Sequence, residues 1–161
     1  GEIKSVFGQA LTIVKDRIDK NSKEKWQATA DDLSYFSLEL LNGGLANVFM
    51  SGVVSHSLGN KTQIFGSEGT IILEDKTEEI LFAKKAEDFK KLSFEDPNAS
   101  LDGVNKGIWN VSVVSLLEEL TSAIKENRSL NEGSTFEDGL KNQLVVDAVF
   151  QSTKERKWID L

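Results

Sequence analysis

The sequence predicts an α+β fold, with an open and mostly antiparallel β-sheet that carries helices on one face. Two observations support this prediction. Short apolar runs separated by Gly, Asn and Asp occupy about the first 95 residues, whereas the 3.6-residue period of an amphipathic helix appears only after about residue 108. Such a segregation of strands and helices along the chain favours α+β over an alternating α/β fold. A length of 161 residues fits a single domain with its own hydrophobic core.

The first element is predicted to be a strand over residues 2–14. Its β-branched and aromatic residues place apolar side chains on both sides of the chain, which is typical of a strand that is partly covered on both faces. Residues 15–30 are rich in Lys, Asp and Ser and show no period. They predict a solvated loop in which Trp26 is the one residue that packs against the rest of the protein.

The clearest hairpin lies in residues 31–55, where Asn42-Gly43 separates two apolar runs. This dipeptide favours a two-residue type I′ turn, which would pair residues whose numbers sum to 85. That register places Phe36 on the face that packs into the core. The opposite face is too apolar for ordinary exposure to solvent and too polar for a sealed core, so it predicts a subunit interface. The interface candidates are Tyr35, Val48 and Met50.

Shorter strands are predicted next. The G-S-E-G segment at residues 66–69 stands between two apolar runs and is interpreted as a tight turn between strands. A phosphate cradle is the less favoured alternative, because no helix N-terminus or Lys follows the segment. Residues 78–83 and 89–94 are weaker strand candidates. The segment from Pro97 to Gly107 has the composition of a loop that leads into a helix.

Two helices are predicted in the last third of the chain. The first has apolar residues at helical spacing and stops near Asn127; its expected buried positions are 109, 113, 116, 117, 120, 123 and 124. Ser134 and Glu137 have capping-box spacing and predict the start of the second helix. The expected buried stripe of the second helix consists of Phe136, Leu140, Leu144, Val145, Ala148 and Val149. The chain then ends in an apolar segment, 158–161, that predicts a terminal strand.

Composition excludes several classes of function. The chain has 26 acidic and 19 basic side chains and a net charge of −7, which disfavours binding to a phosphate backbone, so no nucleic-acid partner is expected. Without Cys, and with His56 as the single imidazole, disulfides and thiolate or His-cluster metal sites are excluded. The apolar runs are shorter than the roughly 18–20 residues that span a bilayer, so no membrane partner is expected.

Common catalytic motifs are missing from the sequence, namely G-x-G-x-x-G, G-x-x-x-x-G-K-[ST], H-E-x-x-H and G-x-S-x-G. His56 could act as an acid or base, but it precedes a Gly-Asn turn and is interpreted as a surface residue. Asp31-Asp32 and Glu118-Glu119 are adjacent in sequence, so their side chains diverge and are interpreted as solvated. No catalytic, cofactor-binding or metal-ligating residue is therefore predicted.

Five segments, taken in order, resemble one known family. They are G-E-I-K-S-V at 1–6, D-D-L-S-Y-F-S-L-E-L-L-N-G-G at 31–44, I-F-G-S-E-G-T-I at 64–71, L-L-E-E-L-T-S-A-I at 116–124 and F-E-D-G-L-K-N-Q-L-V-V-D-A-V-F-Q-S at 136–152. Their order and spacing resemble the C-terminal domain of the Gfo/Idh/MocA oxidoreductases, the family of glucose-fructose oxidoreductase and inositol dehydrogenase. The last segment, followed by K-W-I-D-L, is the most specific part of a resemblance that covers nearly the whole chain.

The resemblance implies a parent enzyme with an N-terminal Rossmann domain that binds NAD or NADP, followed by a C-terminal α/β domain that here spans residues 1–161. The family's catalytic Lys lies in an E-K-P motif of the Rossmann domain, and its D-x-x-x-H helix precedes the strand that begins here at Gly1. Glu24-Lys25 is followed by Trp26 and is not that motif. The resemblance therefore implies a fragment without catalytic residues that binds no nicotinamide cofactor alone and derives from a cytoplasmic sugar or polyol dehydrogenase.

The resemblance also implies where such a domain meets other molecules. The loop before the first C-domain helix often approaches the nicotinamide cleft, so Asn105, Lys106 and Trp109 are candidates for substrate-side contacts, with an ordinary loop and core role as the alternative. Family members often pair subunits through the open sheet, which implies a homo-oligomer such as a dimer. Two other hypotheses stay open: a stand-alone, non-catalytic oligomerisation or ligand-binding module, and an unrelated small hydrolase that uses His56.

Overall fold

The computed structural model describes residues 1–57, 59–77, 79–93, 97–104 and 108–161, without the side chains of residues 108 and 109. The described residues form two compact units: unit one comprises residues 1–55 and 134–161, and unit two comprises residues 56–133. Antiparallel sheets make up most of both units, and each unit contains one long helix. The predicted fold class is thereby confirmed.

The elements follow the predicted order, with strands first and helices last. The strands are β1 (Ile3–Leu11), β2 (Asp16–Ile18), β3 (Lys25–Gln27), β4 (Leu33–Leu40), β5 (Leu45–Ser51), β6 (Lys61–Phe65), β7 (Gly69–Glu74), β8 (Glu79–Lys84), β9 (Lys90–Leu92) and β10 (Ile159–Asp160), and the helices are α1 (Ile108–Glu126) and α2 (Phe136–Glu155). The sheet of unit one has the order β10-β1-β4-β5. Because β10 pairs antiparallel with β1, the predicted terminal strand is confirmed.

The core of unit one lies between β1 and the second half of α2. Val6 of β1 is fully buried, and Ile159 of β10 packs beside it. Val145, Ala148 and Val149 of α2 complete the buried cluster. These three helical residues belong to the buried stripe that the sequence predicts, so that part of the stripe is confirmed.

The first half of α2 is exposed. The sequence also predicts Phe136, Leu140 and Leu144 in the buried stripe, but the structure leaves all three exposed, so this part of the prediction is wrong. A 3.6-residue period identifies the apolar face of a helix, but it does not tell which turns of that face meet the sheet. Here only the turns around Ala148 reach the core of unit one.

Side-chain hydrogen bonds join the end of α2 to β1. Ser152 Oγ accepts a hydrogen bond from Gly8 N at 3.0 Å and donates one to Lys157 O at 2.7 Å. Thr153 Oγ1 accepts from Ala10 N at 2.9 Å. Since β10 pairs with only two residues of β1, these hydroxyl groups satisfy the backbone amides of β1 beyond the end of β10.

The start of α2 is capped one residue later than predicted. Thr135 is the N-cap: its Oγ1 accepts from Asp138 N at 3.3 Å, and Asp138 Oδ2 accepts from Thr135 N at 2.8 Å. The capping box predicted for Ser134 and Glu137 is therefore wrong by one position. Both pairs have the required spacing in sequence, and only the structure shows which residue leaves the helical backbone conformation. Hydrogen bonds from Thr135 lower the pKa of Asp138.

The β4–β5 hairpin is present, but its turn differs from the predicted one. Leu40 O accepts from Gly43 N at 2.9 Å, and Leu40 N donates to Gly44 O at 2.9 Å. Gly43 has a positive φ of 85°, and Asn42 Oδ1 accepts from Gly44 N at 3.0 Å. The loop consequently has three residues, Leu41 to Gly43, and ends in a left-handed Gly, as in the common three-residue hairpin loops. The predicted two-residue type I′ turn is wrong.

The longer loop shifts the pairing of β4 and β5 by one residue. Tyr35 lies opposite Phe49 and Phe36 lies opposite Val48, so partner numbers sum to 84 and not to 85. Because side chains alternate along a strand, Val48 and Met50 share the face of Phe36, which packs against the core. Tyr35 and Phe49 lie on the other face. The prediction that Tyr35, Val48 and Met50 share one face is wrong.

Residues 15–30 contain a short antiparallel hairpin, β2–β3, so the predicted loop is wrong for this part. Its strands are only three residues long, and their polar composition conceals any strand pattern. Trp26 is about half exposed, and the Arg17 guanidinium lies 6.0 Å from the centre of its ring. Trp26 therefore docks by a cation–π contact within the hairpin.

Asp32 holds the base of the β2–β3 hairpin. Its side chain is 5% exposed and accepts hydrogen bonds from Ile13 N at 2.7 Å, Val14 N at 3.0 Å and Arg17 Nη2 at 2.8 Å. The bond from Ile13 N is the main cause of the lowered pKa of Asp32, and the bonds from Val14 N and Arg17 act in the same direction. The interpretation of Asp32 as a solvated acid is wrong, because a two-stranded hairpin is marginal alone and this carboxylate anchors it.

We expect Asp32→Asn to loosen the β2–β3 hairpin, because the amide loses the negative charge that strengthens all three hydrogen bonds. Amide hydrogen exchange of residues 13–27 should become faster. Asp31→Asn, which changes the exposed neighbour, is the matched control and should leave the exchange unchanged. Equal exchange in the two variants would contradict the anchoring role.

The lowered pKa of Asp32 predicts how the hairpin responds to acid. The pKa of Asp32 in the folded chain lies below its ordinary value of 3.8. The stabilisation that the ionised Asp32 carboxylate gives to the hairpin is therefore fully present above pH 3.8. It is lost as the pH falls through the lower pKa of the folded chain. In the wild-type chain the hairpin should loosen only in that acidic window, and in Asp32→Asn this pH dependence should disappear.

Unit two is built on a second antiparallel sheet, in the order β6-β7-β8-β9. Gly66 N donates to Gly69 O at 2.9 Å and closes the turn between β6 and β7, which confirms the turn interpretation of the G-S-E-G segment. The two weaker strand candidates are confirmed in their described parts as β8 and β9.

Helix α1 ends at Glu126, and Asn127 has a positive φ of 51°, so the predicted stop is confirmed. Its predicted buried stripe is confirmed only at Ala123, which is buried. The side chain at position 109 lies outside the described residues, and the prediction is wrong for the larger apolar side chains, which are exposed: Val113, Leu116, Leu117, Leu120 and Ile124. Within unit two, α1 packs against the 3₁₀ turn at Pro97–Ser100, and this short element is too small to cover a helix of 19 residues.

Candidate functional site

The substrate-side candidates lie where α1 begins. Asn105 and Lys106 are outside the described residues, and Trp109 belongs to the first turn of α1 but its side chain is also outside them. The structure describes the segments on both sides, which are residues 97–104 and the helix itself. The contacts of these two flanking segments are therefore the structural evidence for this region.

Asn98 attaches the 3₁₀ turn to α1. Asn98 is 8% exposed, and its Nδ2 donates to Ser115 Oγ at 3.0 Å and to Glu118 Oε2 at 3.2 Å. Ser115 Oγ in turn donates to Val111 O at 3.1 Å. The 3₁₀ turn that contains Asn98 is therefore hydrogen-bonded to the second and third turns of α1. The sequence shows Asn98 only as part of a loop composition, and no sequence signal separates it from its polar neighbours.

The pair Glu118-Glu119 has two different structural roles. Glu118 binds Asn98, whereas Glu119 accepts two hydrogen bonds from Arg128, Nη1 at 2.7 Å and Nη2 at 3.1 Å, and one from Asn131 N at 2.6 Å. The Arg128 bonds are the main cause that lowers the pKa of Glu119 to about 2. Glu119 thus holds the chain just after α1 through a bidentate ion pair. The solvated interpretation of Glu119 is wrong, and the two carboxylates do not form a catalytic pair.

His56 lies exposed in the connection between β5 and β6. A general base needs a partner within about 2.6–3.2 Å of the proton that it moves. Among the described residues, no hydrogen bond or ion pair reaches His56. The geometry around His56 therefore offers nothing to the hydrolase hypothesis.

An open hollow of about 550 Å³ lies beside the β6–β7 turn. Its lining includes the apolar side chains of Ile64, Ile71 and Phe82 and the charged side chains of Glu68 and Lys84. The turn that borders it uses Gly66 N for its own closing hydrogen bond. That amide is consequently not available to a bound anion, in agreement with the turn interpretation.

The face of the unit-one sheet that carries Tyr35 is named here the open face. α2 packs against the opposite side of the sheet, where Val6 and Phe36 lie. The central side chains of the open face are Phe7, Tyr35, Ser37, Asn47, Phe49 and Trp158. The rings of Phe7 and Trp158 contact each other with their centres 5.7 Å apart, and Ser37 Oγ donates to Asn47 Oδ1 at 2.7 Å. The open face is thus aromatic with a few neutral polar groups.

The described residues contain no group of three or more His, Asp or Glu side chains placed to hold a metal ion. Neither of the described helices is long and apolar enough to cross a membrane.

Comparison with known proteins identifies the family. A family model described as "Oxidoreductase family, C-terminal alpha/beta domain" matches residues 3–161, almost the whole chain. The chain belongs to this family. The Gfo/Idh/MocA resemblance of the sequence segments is thereby confirmed, and the unit-one and unit-two sheets are those of a Gfo/Idh/MocA C-terminal domain.

Relatives and solved structures agree with the Gfo/Idh/MocA assignment. Glucose-fructose oxidoreductase domain-containing protein 2 of Xenopus tropicalis is 22% identical over 144 residues, which cover 81% of this chain and 37% of that protein. Levoglucosan dehydrogenase in its apo form has a TM-score of 0.83 at 20% identity, over 100% of this chain and 46% of that chain. An NAD binding oxidoreductase from Klebsiella pneumoniae has a TM-score of 0.81 at 23% identity, over 99% and 46% of the two chains.

The Gfo/Idh/MocA chain described here spans less than half the length of these proteins. Levoglucosan dehydrogenase is also known in complex with NADH and L-sorbose. At such low identities the structural likeness shows the shared fold.

Proposed function

We propose that this chain is the substrate-side and subunit-contact domain of an NAD(P)-dependent oxidoreductase that acts on a sugar or polyol. The observation that carries the proposal is the family match over residues 3–161. The levoglucosan dehydrogenase complex with NADH and L-sorbose supports both the cofactor class and the substrate class. The choice between NAD and NADP stays open. The absence of Cys fits a reducing compartment, so we place the enzyme in the cytoplasm.

In this proposal both compact units belong to one C-terminal domain, and the Rossmann domain and the catalytic residues are supplied by a separate part of the enzyme. The continuous family match across both units supports a single domain. Asn105, Lys106 and Trp109 form the substrate-side segment, supported by the attachment of its entry to α1 through Asn98. In the longer enzyme, an unchanged kcat/KM after substitution of Asn105 and Lys106 would remove this segment from the proposal.

The chain alone is expected to be inactive, because the part of it that the structure describes shows no pyrophosphate site for a nicotinamide cofactor. Such a site needs a Gly-rich turn and a free helix N-terminus. The sequence has no G-x-G-x-x-G motif. At the N-terminus of α2 the Asp138 carboxylate already occupies the N-cap amide, and Glu137 adds a second negative charge in the first turn. Both carboxylates would repel a pyrophosphate.

We expect isothermal titration calorimetry of this chain with NAD, NADH, NADP or NADPH to show no binding. A full-length levoglucosan dehydrogenase titrated with NADH is the positive control. Micromolar affinity for any of the four nucleotides would contradict the proposal that the cofactor site lies outside this chain.

A stand-alone, non-catalytic module is the second candidate, since the exposed apolar faces of this chain also suit an oligomerisation domain. The gene sequence upstream of Gly1 distinguishes the oxidoreductase domain from the stand-alone module. A reading frame that continues upstream into a G-x-G-x-x-G strand–helix segment supports the oxidoreductase, and a start codon directly before Gly1 supports the module.

A further inference from the structure

The hollow beside the β6–β7 turn lies where two glycines interrupt a face of the unit-two sheet. Ile64 lies opposite Ile71, and Ile71 lies opposite Phe82, so their side chains form one apolar row across three strands, named here the apolar row. In the next row of the same face, Gly66 and Gly69 carry no side chains. The missing side chains leave a depression beside the apolar row.

The packing of β7 against β8 requires glycine at position 69. A Cβ atom added there would overlap Ala83 O and would lie 3.3 Å from Lys84 Cα. Both are backbone atoms of β8, so no side-chain rotation relieves the overlap. The depression is therefore a fixed consequence of how these two strands meet.

Two charged side chains of opposite sign, Lys84 and Glu68, line the same hollow. Lys84 lies opposite Gly69, in the row of the two glycines. Both charged residues are exposed, and neither forms an ion pair or a side-chain hydrogen bond with another residue that the structure describes. The hollow thus combines an apolar row with one cation and one anion that are available to a ligand.

This combination of groups distinguishes between classes of ligand. A purely apolar molecule would leave both charges unused. A simple anion would meet the Glu68 carboxylate, which repels it, and a simple cation would meet the Lys84 ammonium group. A molecule with a carboxylate, an ammonium group and an apolar side chain complements all three features. The volume of about 550 Å³ lies within the range of small-molecule sites.

We propose that the hollow binds a free α-amino acid with an apolar side chain. The side chain of the ligand contacts the apolar row, its carboxylate pairs with Lys84 and its ammonium group pairs with Glu68. Ser67 also lines the hollow, and its hydroxyl donates a hydrogen bond to the ligand carboxylate. The proposal concerns unit two alone and does not depend on the proposed oxidoreductase function.

Analogues of L-leucine test which groups of the ligand are recognised. In an NMR titration of the isotope-labelled chain, L-leucine is expected to shift the backbone amide signals of residues 64–71 and 82–84, with a Kd on the order of 1 mM because the charged partners are exposed. Isocaproate lacks the ammonium group, isoamylamine lacks the carboxylate and glycine lacks the apolar side chain. Each of the three is expected to bind at least threefold more weakly than L-leucine.

Charge-removing variants test which residues recognise those groups. Lys84→Met should weaken the binding of L-leucine about three- to fivefold, the usual effect of losing an exposed ion pair, without weakening isoamylamine. Glu68→Gln should weaken L-leucine to a similar extent without weakening isocaproate. Lys85→Met changes the next residue, which is exposed and does not line the hollow, and is the matched control that should leave all affinities unchanged.

Three results would overturn the proposal. Amide signals of residues 64–71 and 82–84 that stay unchanged in tens of millimolar L-leucine would show that the hollow binds no apolar amino acid. Isocaproate that binds as tightly as L-leucine would remove Glu68 from recognition and the amino acid assignment with it. Equal affinities of Lys84→Met and Lys85→Met for L-leucine would exclude the carboxylate contact. If Lys84→Met fails to fold by circular dichroism, the analogue series on the wild-type chain still decides between these outcomes.

Discussion

Gly8→Ala is expected to lower the free energy of unfolding of unit one by about 3 kcal/mol, at the upper end of the usual range for overpacking. A Cβ atom at Gly8 would lie 2.5 Å from Tyr35 O and 2.7 Å from Phe36 Cα, with Phe36 Cβ closer still. These are mostly backbone atoms of β4, so no side-chain rotation relieves the overlap. β1 cannot simply shift away, because Ser152 on α2 holds the amide of Gly8.

Gly139→Ala is the matched control for this prediction and should have the opposite sign. Gly139 lies inside α2, and a Cβ added there has no heavy atom within 4 Å. The substitution should stabilise the helix by about 1 kcal/mol, because Ala loses less conformational entropy than Gly on helix formation. Urea unfolding measures both variants. A Gly8→Ala chain as stable as wild type would show that β1 and β4 are not as close as described.

Ser152→Ala is expected to lower the free energy of unfolding of unit one by a similar amount, about 2–4 kcal/mol. The substitution removes two hydrogen bonds and leaves two polar groups, Gly8 N and Lys157 O, without their partner. Ser152 is 1% exposed, so water cannot take the place of its hydroxyl. Gly8 is buried, and an unsatisfied buried group costs about 1–3 kcal/mol, which makes this hydroxyl more important than a typical surface hydrogen bond.

Ser112→Ala provides the control for Ser152→Ala. Ser112 lies in α1 and is exposed, so the same chemical change in a helix should alter the free energy of unfolding by less than about 0.5 kcal/mol. Amide exchange adds a local readout, since the Gly8 amide should exchange faster in Ser152→Ala. If Ser152→Ala and Ser112→Ala unfold at the same urea concentration, the hydroxyl of Ser152 does not join α2 to β1 in the way described.

Local patterns in the sequence were sufficient for the fold class, the family and most of the elements. Strand and helix periods report the local backbone, and therefore the order of the elements, the stop of α1 near Asn127 and the terminal strand at Ile159 are all confirmed. The G-S-E-G turn was equally predictable, because Gly residues at both ends of a short connection act locally. The family segments add an ordered set of such local patterns.

Tertiary structure alone decided which faces are covered and which groups meet. One additional residue in the loop that ends at Gly43 moved Val48 and Met50 to the opposite face from Tyr35, because strand side chains alternate with a period of two. Asp32 and Asn98 looked like ordinary polar residues, yet each binds partners that are distant in sequence or on another element. The apolar stripe of α1 required a cover that a helical period cannot identify. A sequence pattern indicates that a side chain needs a partner. The identity of that partner depends on contacts between segments that are far apart in the chain.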